Sequence, residues 1–224
     1  ALDVDYFAPA ASGDATAPPP AIEDWLATRA SWPLVTFLAR SGPSATLARA
    51  VTAALLERGV PVAAVLLASS GTGAVADANA GAADRRADAP FVLEHPAPPD
   101  RRRLARASVV VVDVDDEVAW PAPLVEAMAC GAVVVAGASP TVAALVTHGQ
   151  TGYLSAARDP GGLAATVAWV LENRLDLAAV RQAARASVQR FGLTETTETY
   201  RRLVDWVIDG GAGPIRPLPF GAPG

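Results

Sequence analysis

The chain has 224 residues and not one lysine: all eighteen of its basic residues are arginine. This excludes any chemistry that needs an ammonium group and leaves every cationic contact to a guanidinium. There is one cysteine, Cys130, which rules out an internal disulfide and a cysteine-built zinc site. A chain so poor in cysteine suits a reducing compartment, and a cytoplasmic location is expected. The only methionine is Met128 and residue 1 is alanine, so the chain is expected to be either trimmed or a piece of something longer. No apolar run reaches the ~18 residues of a membrane span, because Glu57 and Arg58 interrupt the longest candidate, and no signal peptide is legible at the start. Positive charge is sparse as well. The net charge is −5, and the densest basic run, Arg101-Arg102-Arg103, is too short to point to nucleic acid; it reads as the exposed face of a helix.

What the chain does have is apolar sequence, 51% of its residues against 18% charged, enough to bury a core. The apolar runs alternate with helical patterns. Strands are expected at 34–39, 60–68, 91–94, 108–114, 132–136 and 152–155. Between them lie a helix capped by Ser44 and stopped by Gly59, a basic helix over 98–107, a helix over 123–129 and a short one over 142–147. Three helical segments follow, at 162–173, 175–191 and 195–208, the last carrying Tyr200, Leu203, Trp206 and Val207 on one face. Residues 69–90 are small, polar and aperiodic and read as a loop.

Strand–helix alternation with valine-rich strands predicts an α/β fold: an open parallel sheet of about six strands with helices on both faces. Residues 1–30 read as a crossover or linker segment, 31–209 as the domain, and 210–224 as a Pro/Gly-rich tail. Ligands of such sheets bind beyond the carboxyl ends of the strands, which directs attention to the loops 40–44, 69–73, 115–123 and 137–141.

Those loops carry a family resemblance. From Trp120-Pro121 through Glu126-Ala127-Met128-Ala129-Cys130-Gly131 to Gly149 and Gly152, the chain resembles without a gap the donor-binding, C-terminal lobe of GT-B glycosyltransferases of the family-4, or group 1, type. Asp3-Val4-Asp5-Tyr6-Phe7 is similar to the crossover entering that lobe, Phe37-Leu38-Ala39-Arg40 to its first strand, and Arg106-Ala107-Ser108-Val109 to the entry of a later one. The resemblance implies a Rossmann-like lobe that binds a nucleotide sugar such as a UDP-, GDP- or ADP-sugar for retaining hexosyl transfer. It also implies a partner N-terminal GT-B lobe, in the same parent chain or in another protein, and no obligatory metal or cofactor. The lobe by itself is expected to be inactive.

By the same resemblance Glu126 would accept hydrogen bonds from ribose hydroxyls and Arg40 would bind phosphate. Leu124, Val125 and Thr141 would fall at donor-contacting positions, and Glu117 lies one residue from the family's first glutamate, whose place is taken by Val118. The chain departs from the pattern elsewhere. The two glycines after the valine strand become Pro140 and Thr141, the next carboxylate becomes Ala144, and the phosphate lysine falls near Ala45. Proline offers no N–H to a phosphate, and a lost charge-assisted contact costs ~1.5–3 kcal/mol.

Two function classes therefore stand side by side: a donor lobe with a partly eroded site, and a non-catalytic pseudo-glycosyltransferase module used for partner binding or assembly. Glu126 has an alternative reading as a carboxylate favoured by the helix dipole near a helix start, and Arg40 one as a solvated strand-end residue. Cys130 reads as a packed apolar residue, and His95 and His148 as turn residues at the surface. Gly149 and Gly152 read as a tight turn. Gly71-Thr72-Gly73 reads as a loop without the rest of a dinucleotide fingerprint.

Overall fold

Runs such as VVVD and VVVAG open on three successive β-branched valines and can be satisfied only where both faces of a strand are covered. In the computed structural model, which describes residues 3, 6–8, 17–68, 90–114 and 120–211, they are the centre of a sheet. Its strands are β1 (Leu34–Ala39), β2 (Ala63–Ala68), β3 (Phe91–Glu94), β4 (Val110–Asp113), β5 (Val133–Gly137) and β6 (Tyr153–Ser155). They run parallel in the order β3-β2-β1-β4-β5-β6. This is the doubly wound arrangement, and the order reverses direction between β1 and β4.

The described helices are α1 (Glu23–Ala27), α2 (Gly42–Glu57), α3 (Pro98–Ala107), α4 (Ala122–Ala129), α5 (Pro140–Ala143), α6 (Pro160–Glu172), α7 (Ala178–Val188) and α8 (Leu193–Ile208). Alternate strand residues serve two cores. Val35 and Phe37 of β1, with Val110, Val112, Val133 and Val135, pack under α2 and α6. Leu34 and Leu38, with Val65, Val111 and Val134, pack under α3, α4 and α7. Glu126 apart, α4 is apolar on all sides and every residue from Leu124 to Ala129 is buried, so it is a core helix wedged between β4 and α7.

The expected α/β sheet is present, and the element boundaries differ in physically readable ways. The cap of α2 is Ser41, not Ser44: the Ser41 hydroxyl accepts from the Ser44 amide while the Ser44 hydroxyl accepts from the Ser41 amide, a reciprocal capping box. α5 begins at Pro140, where a missing N–H costs nothing, and the Ser139 side chain caps it. β2 begins at Ala63 instead of residue 60, after the proline at 61. Residues 20–27, read from sequence as part of a linker, form a 3-10 turn and α1; Ile22 is fully buried and Arg29 stacks on Trp25 with its guanidinium carbon 4.4 Å from the ring centre. The readings of 69–89, of Gly71 to Gly73, of Glu117 and Val118 and of 212–224 lie outside the described residues.

The turn before β6 depends on a close approach. A Cβ placed on Gly152 would stand 2.5 Å from a Val134 methyl in β5, so no side chain fits there.

Candidate functional site

The sheet's reversal brings the ends of β1 and β4 together, and the first residues beyond them carry opposite charge. Arg40 follows β1, Asp113 closes β4, and the Arg40 Nη2 lies 3.4 Å from the Asp113 Oδ1. The Asp113 side chain has no exposed surface and that of Arg40 is 16% exposed. Arg40 is thus a half-buried ion-paired group, which sets aside its reading as a solvated strand-end residue.

Glu126 sits in the second turn of α4, and no acidic residue occupies the first turn, so proximity to the helix N-terminus is not what stabilises its charge. Its partner is Arg101 of α3. The Arg101 Nε donates to one carboxylate oxygen at 2.6 Å and Nη2 to the other at 2.7 Å, while Nη1 donates to the Pro96 carbonyl at 3.0 Å. Hydrogen bonding to Glu126 holds the Arg101 guanidinium proton more tightly than usual, against an opposing effect of burial. The run Arg101-Arg102-Arg103 is therefore not a solvated face. Arg102 donates to the Tyr6 carbonyl and stacks over its ring, and only Arg103 is exposed. A helix turns its successive residues by about 100°, so a run of three cannot share one environment.

These groups meet at one crevice. A cavity of about 150 Å³ is lined by Arg40 and Arg101 together with Leu38, Leu67, His95 and Pro123. Glu126 lies deeper: the void it shares with Arg101 and Thr36 is only about 10 Å³, at the lower limit for a single water. Arg101, with Leu38, Leu67 and Pro123, lines both spaces.

The other expected contact residues are placed differently. Leu124 and Val125 are core side chains, and both their amides donate to the Pro121 carbonyl. Thr141, on α5, lines a separate, largely apolar hollow of about 540 Å³ with Trp120, Leu145, Phe191 and Tyr200. Ala45 is buried in the core under α2. Cys130 is buried, and burial pushes its thiol up to about 12, as befits a packed residue rather than a nucleophile. His148 accepts from the Leu154 amide through Nδ1, tying the turn to β6. Among the described residues no cluster of three His, Cys, Asp or Glu is placed to hold a metal ion, and no helix is long and apolar enough to cross a membrane. Arg101 is the site residue that sequence reading missed. Its signal, a basic residue near the start of a helix just beyond a strand end, is shared by Arg102 and Arg103 and picks out none of them.

Comparison with known proteins bears on the fold. Residues 96–187, which carry α3 and α4 with Arg101 and Glu126, match the family described as glycosyl transferases group 1. The chain has the fold of one Rossmann-like lobe of the GT-B architecture. Over 151 residues this GT-B-like domain is 31% identical to D-inositol 3-phosphate glycosyltransferase 2 of Catenulispora acidiphila, an alignment covering 64% of the chain and 35% of that protein. The Anabaena protein Alr3699/HepE, solved in complex with UDP-glucose, superposes with a TM-score of 0.67 at 21% identity, over 91% of this chain and 56% of that one. The C-terminal domain of LpcC, a glycosyl transferase group 1 family protein of Francisella tularensis, superposes with a TM-score of 0.60 at 15% identity, over 86% of this chain and 100% of that domain. The GT-B-like domain thus spans about a third of its curated relative and just over half of HepE.

Proposed function

We propose that the chain is a cytoplasmic donor-binding lobe for retaining glycosyl transfer from a nucleotide sugar. Its site is partly eroded, and it faces an N-terminal GT-B lobe in the same parent chain or in a partner protein. The observation that carries this reading is the convergence of Arg40 and Arg101, the latter paired with Glu126, on one crevice at the sheet's reversal point. Cleavage of a sugar–diphosphate bond builds negative charge on the leaving oxygens, and fixed guanidinium groups in a partly apolar crevice stabilise that charge without a titrating base. HepE, which shares the fold, has been captured with UDP-glucose. A single lobe can hold a donor but leaves the acceptor side of the crevice open.

A second reading, a non-catalytic module that keeps the fold for partner binding or assembly, has specific support. The capping box at α2 already uses the Ser41 and Ser44 amides that could face a phosphate, α5 opens on Pro140 with no N–H, and Ala45 stands where a lysine is expected.

Titration with UDP, GDP and ADP, followed by melting temperature, separates the two. A nucleotide at one hundred times its Kd stabilises the fold by ~2.7 kcal/mol. Binding that weakens by ~1–3 kcal/mol in Arg40→Ala supports the donor lobe. No shift with any of the three at millimolar concentration supports the non-catalytic module.

A further inference from the structure

The chain has no lysine to set beside Arg40, yet the cavity beyond β1 holds a second guanidinium. We propose that Arg101 is the second cation of an anion site in this crevice, binding with Arg40 the phosphoryl groups of a diphosphate, and that Glu126 acts through Arg101 as a positioning residue. The inference deepens the donor-lobe reading and rests on it for the class of ligand.

Arg40 and Arg101 reach the same cavity from different elements, one from the end of β1 and one from near the start of α3. A guanidinium has five N–H donors in a rigid fork. Arg101 uses three, two on Glu126 through its Nε–Nη2 edge and one on Pro96, which leaves two N–H groups on a side chain 26% exposed. The edge facing Glu126 is closed, so what Arg101 has left to offer is directed elsewhere. A carboxylate that grips a guanidinium at two points locks its plane, and a locked fork loses little entropy when it binds an oxyanion.

The alternative, in which Glu126 itself receives a ligand hydroxyl, meets a steric obstacle. The space beside Glu126 is about 10 Å³, and Arg101, Leu38, Leu67 and Pro123 line both it and the open cavity of about 150 Å³. A hydroxyl would have to break a bidentate, charge-assisted pair to enter. Of the remaining walls, Leu38, Leu67, Ala68, Pro96 and Pro123 are apolar and lower the local dielectric, which strengthens the contacts the two arginines make, and His95 adds one neutral polar group. Each arginine is backed by a carboxylate, Asp113 or Glu126. The four groups sum to zero charge, so affinity here comes from aimed N–H groups rather than from a broad positive field.

Pyrophosphate, which has no hydroxyl for Glu126 to read, tests this by calorimetry beside UDP. The probes are applied to the wild-type chain, to R101K and to the double variant R101L/E126L, which removes a neutral pair and so leaves the net charge unchanged. The expected result is a loss of about tenfold or more in pyrophosphate and UDP affinity for the double variant, with partial recovery in R101K. If the double variant does not fold, R101K alone decides, since it must still bind pyrophosphate more weakly than wild type. Pyrophosphate binding unchanged by these substitutions overturns the proposal; if UDP alone is weakened, Glu126 reads the ribose and Arg101 is only its resting partner. Pyrophosphate binding that depends on Arg101, with no UDP binding at all, upholds the anion site and removes the nucleotide reading. Binding of neither probe to the wild-type chain removes both.

Discussion

Arg101 and Glu126, 25 residues apart in sequence, hold each other at two points, 2.6 and 2.7 Å, with the carboxylate side chain only 8% exposed. Such a pair stabilises little in itself, because desolvating two charges offsets most of their attraction, but breaking it is costly. Arg101→Ala, which leaves a buried carboxylate without its partner, is expected to lower stability by about 3 kcal/mol, whereas R101L/E126L should fall within about 1 kcal/mol of wild type. Urea unfolding of the two variants checks this; equal losses in both would show that packing, not charge pairing, matters here.

Gly152 approaches β5 more closely than any side chain allows. Gly152→Ala should cost ~1–3 kcal/mol through overpacking against Val134 and Val146. Gly149→Ala meets no atom within 4 Å, and its cost should be only that of holding alanine at a φ of 75°. Both glycines have positive φ, 159° at Gly152 and 75° at Gly149, so melting temperatures of the two variants, side by side, read how much crowding adds to backbone strain.

Thr36 and Ser108 share a buried hydroxyl pair at 2.8 Å between β1 and the segment entering β4. Ser108→Ala should destabilise by ~1–2 kcal/mol by stranding the Thr36 hydroxyl, and adding Thr36→Val should recover part of that loss. A double-mutant cycle by denaturant unfolding reads the coupling; a cycle that sums additively contradicts it.

Burial raises the Cys130 thiol to about 12 from its ordinary value near 8.5. The folded state therefore keeps a proton that the unfolded chain releases. The stability difference favouring the neutral folded thiol is fully present below about pH 8.5 and is lost as pH climbs toward 12. Between pH 9 and 11 the wild-type melting temperature should fall faster than that of Cys130→Ala. In native protein at pH 8, Cys130 should also resist thiol reagents that label it after unfolding.

The six strands were legible because each is a short run bounded by turn residues, and in β1, β2, β4 and β5 burial on both faces leaves no polar alternation to confuse the period. The boundaries were less so. At Ser41 and Ser44 either hydroxyl could cap, and only the backbone path decides which residue is extended and which is helical. Residues 20–27 gave no helix signal, being proline-led and short, and their order comes from Ile22 and Trp25 packing on the second core.

Sequence alone determined the α/β class, the motif around Glu126 and the exclusion of lysine chemistry, since these follow from residue identity and local period. The tertiary structure alone decided what faces the crevice. Arg40, Arg101, Asp113 and Glu126 are brought together by the crossovers of a parallel sheet, which join the ends of strands remote in sequence. Which of three adjacent arginines turns toward a buried carboxylate depends on how α3 is rotated against α4. That angle is set by packing, and no local pattern encodes it.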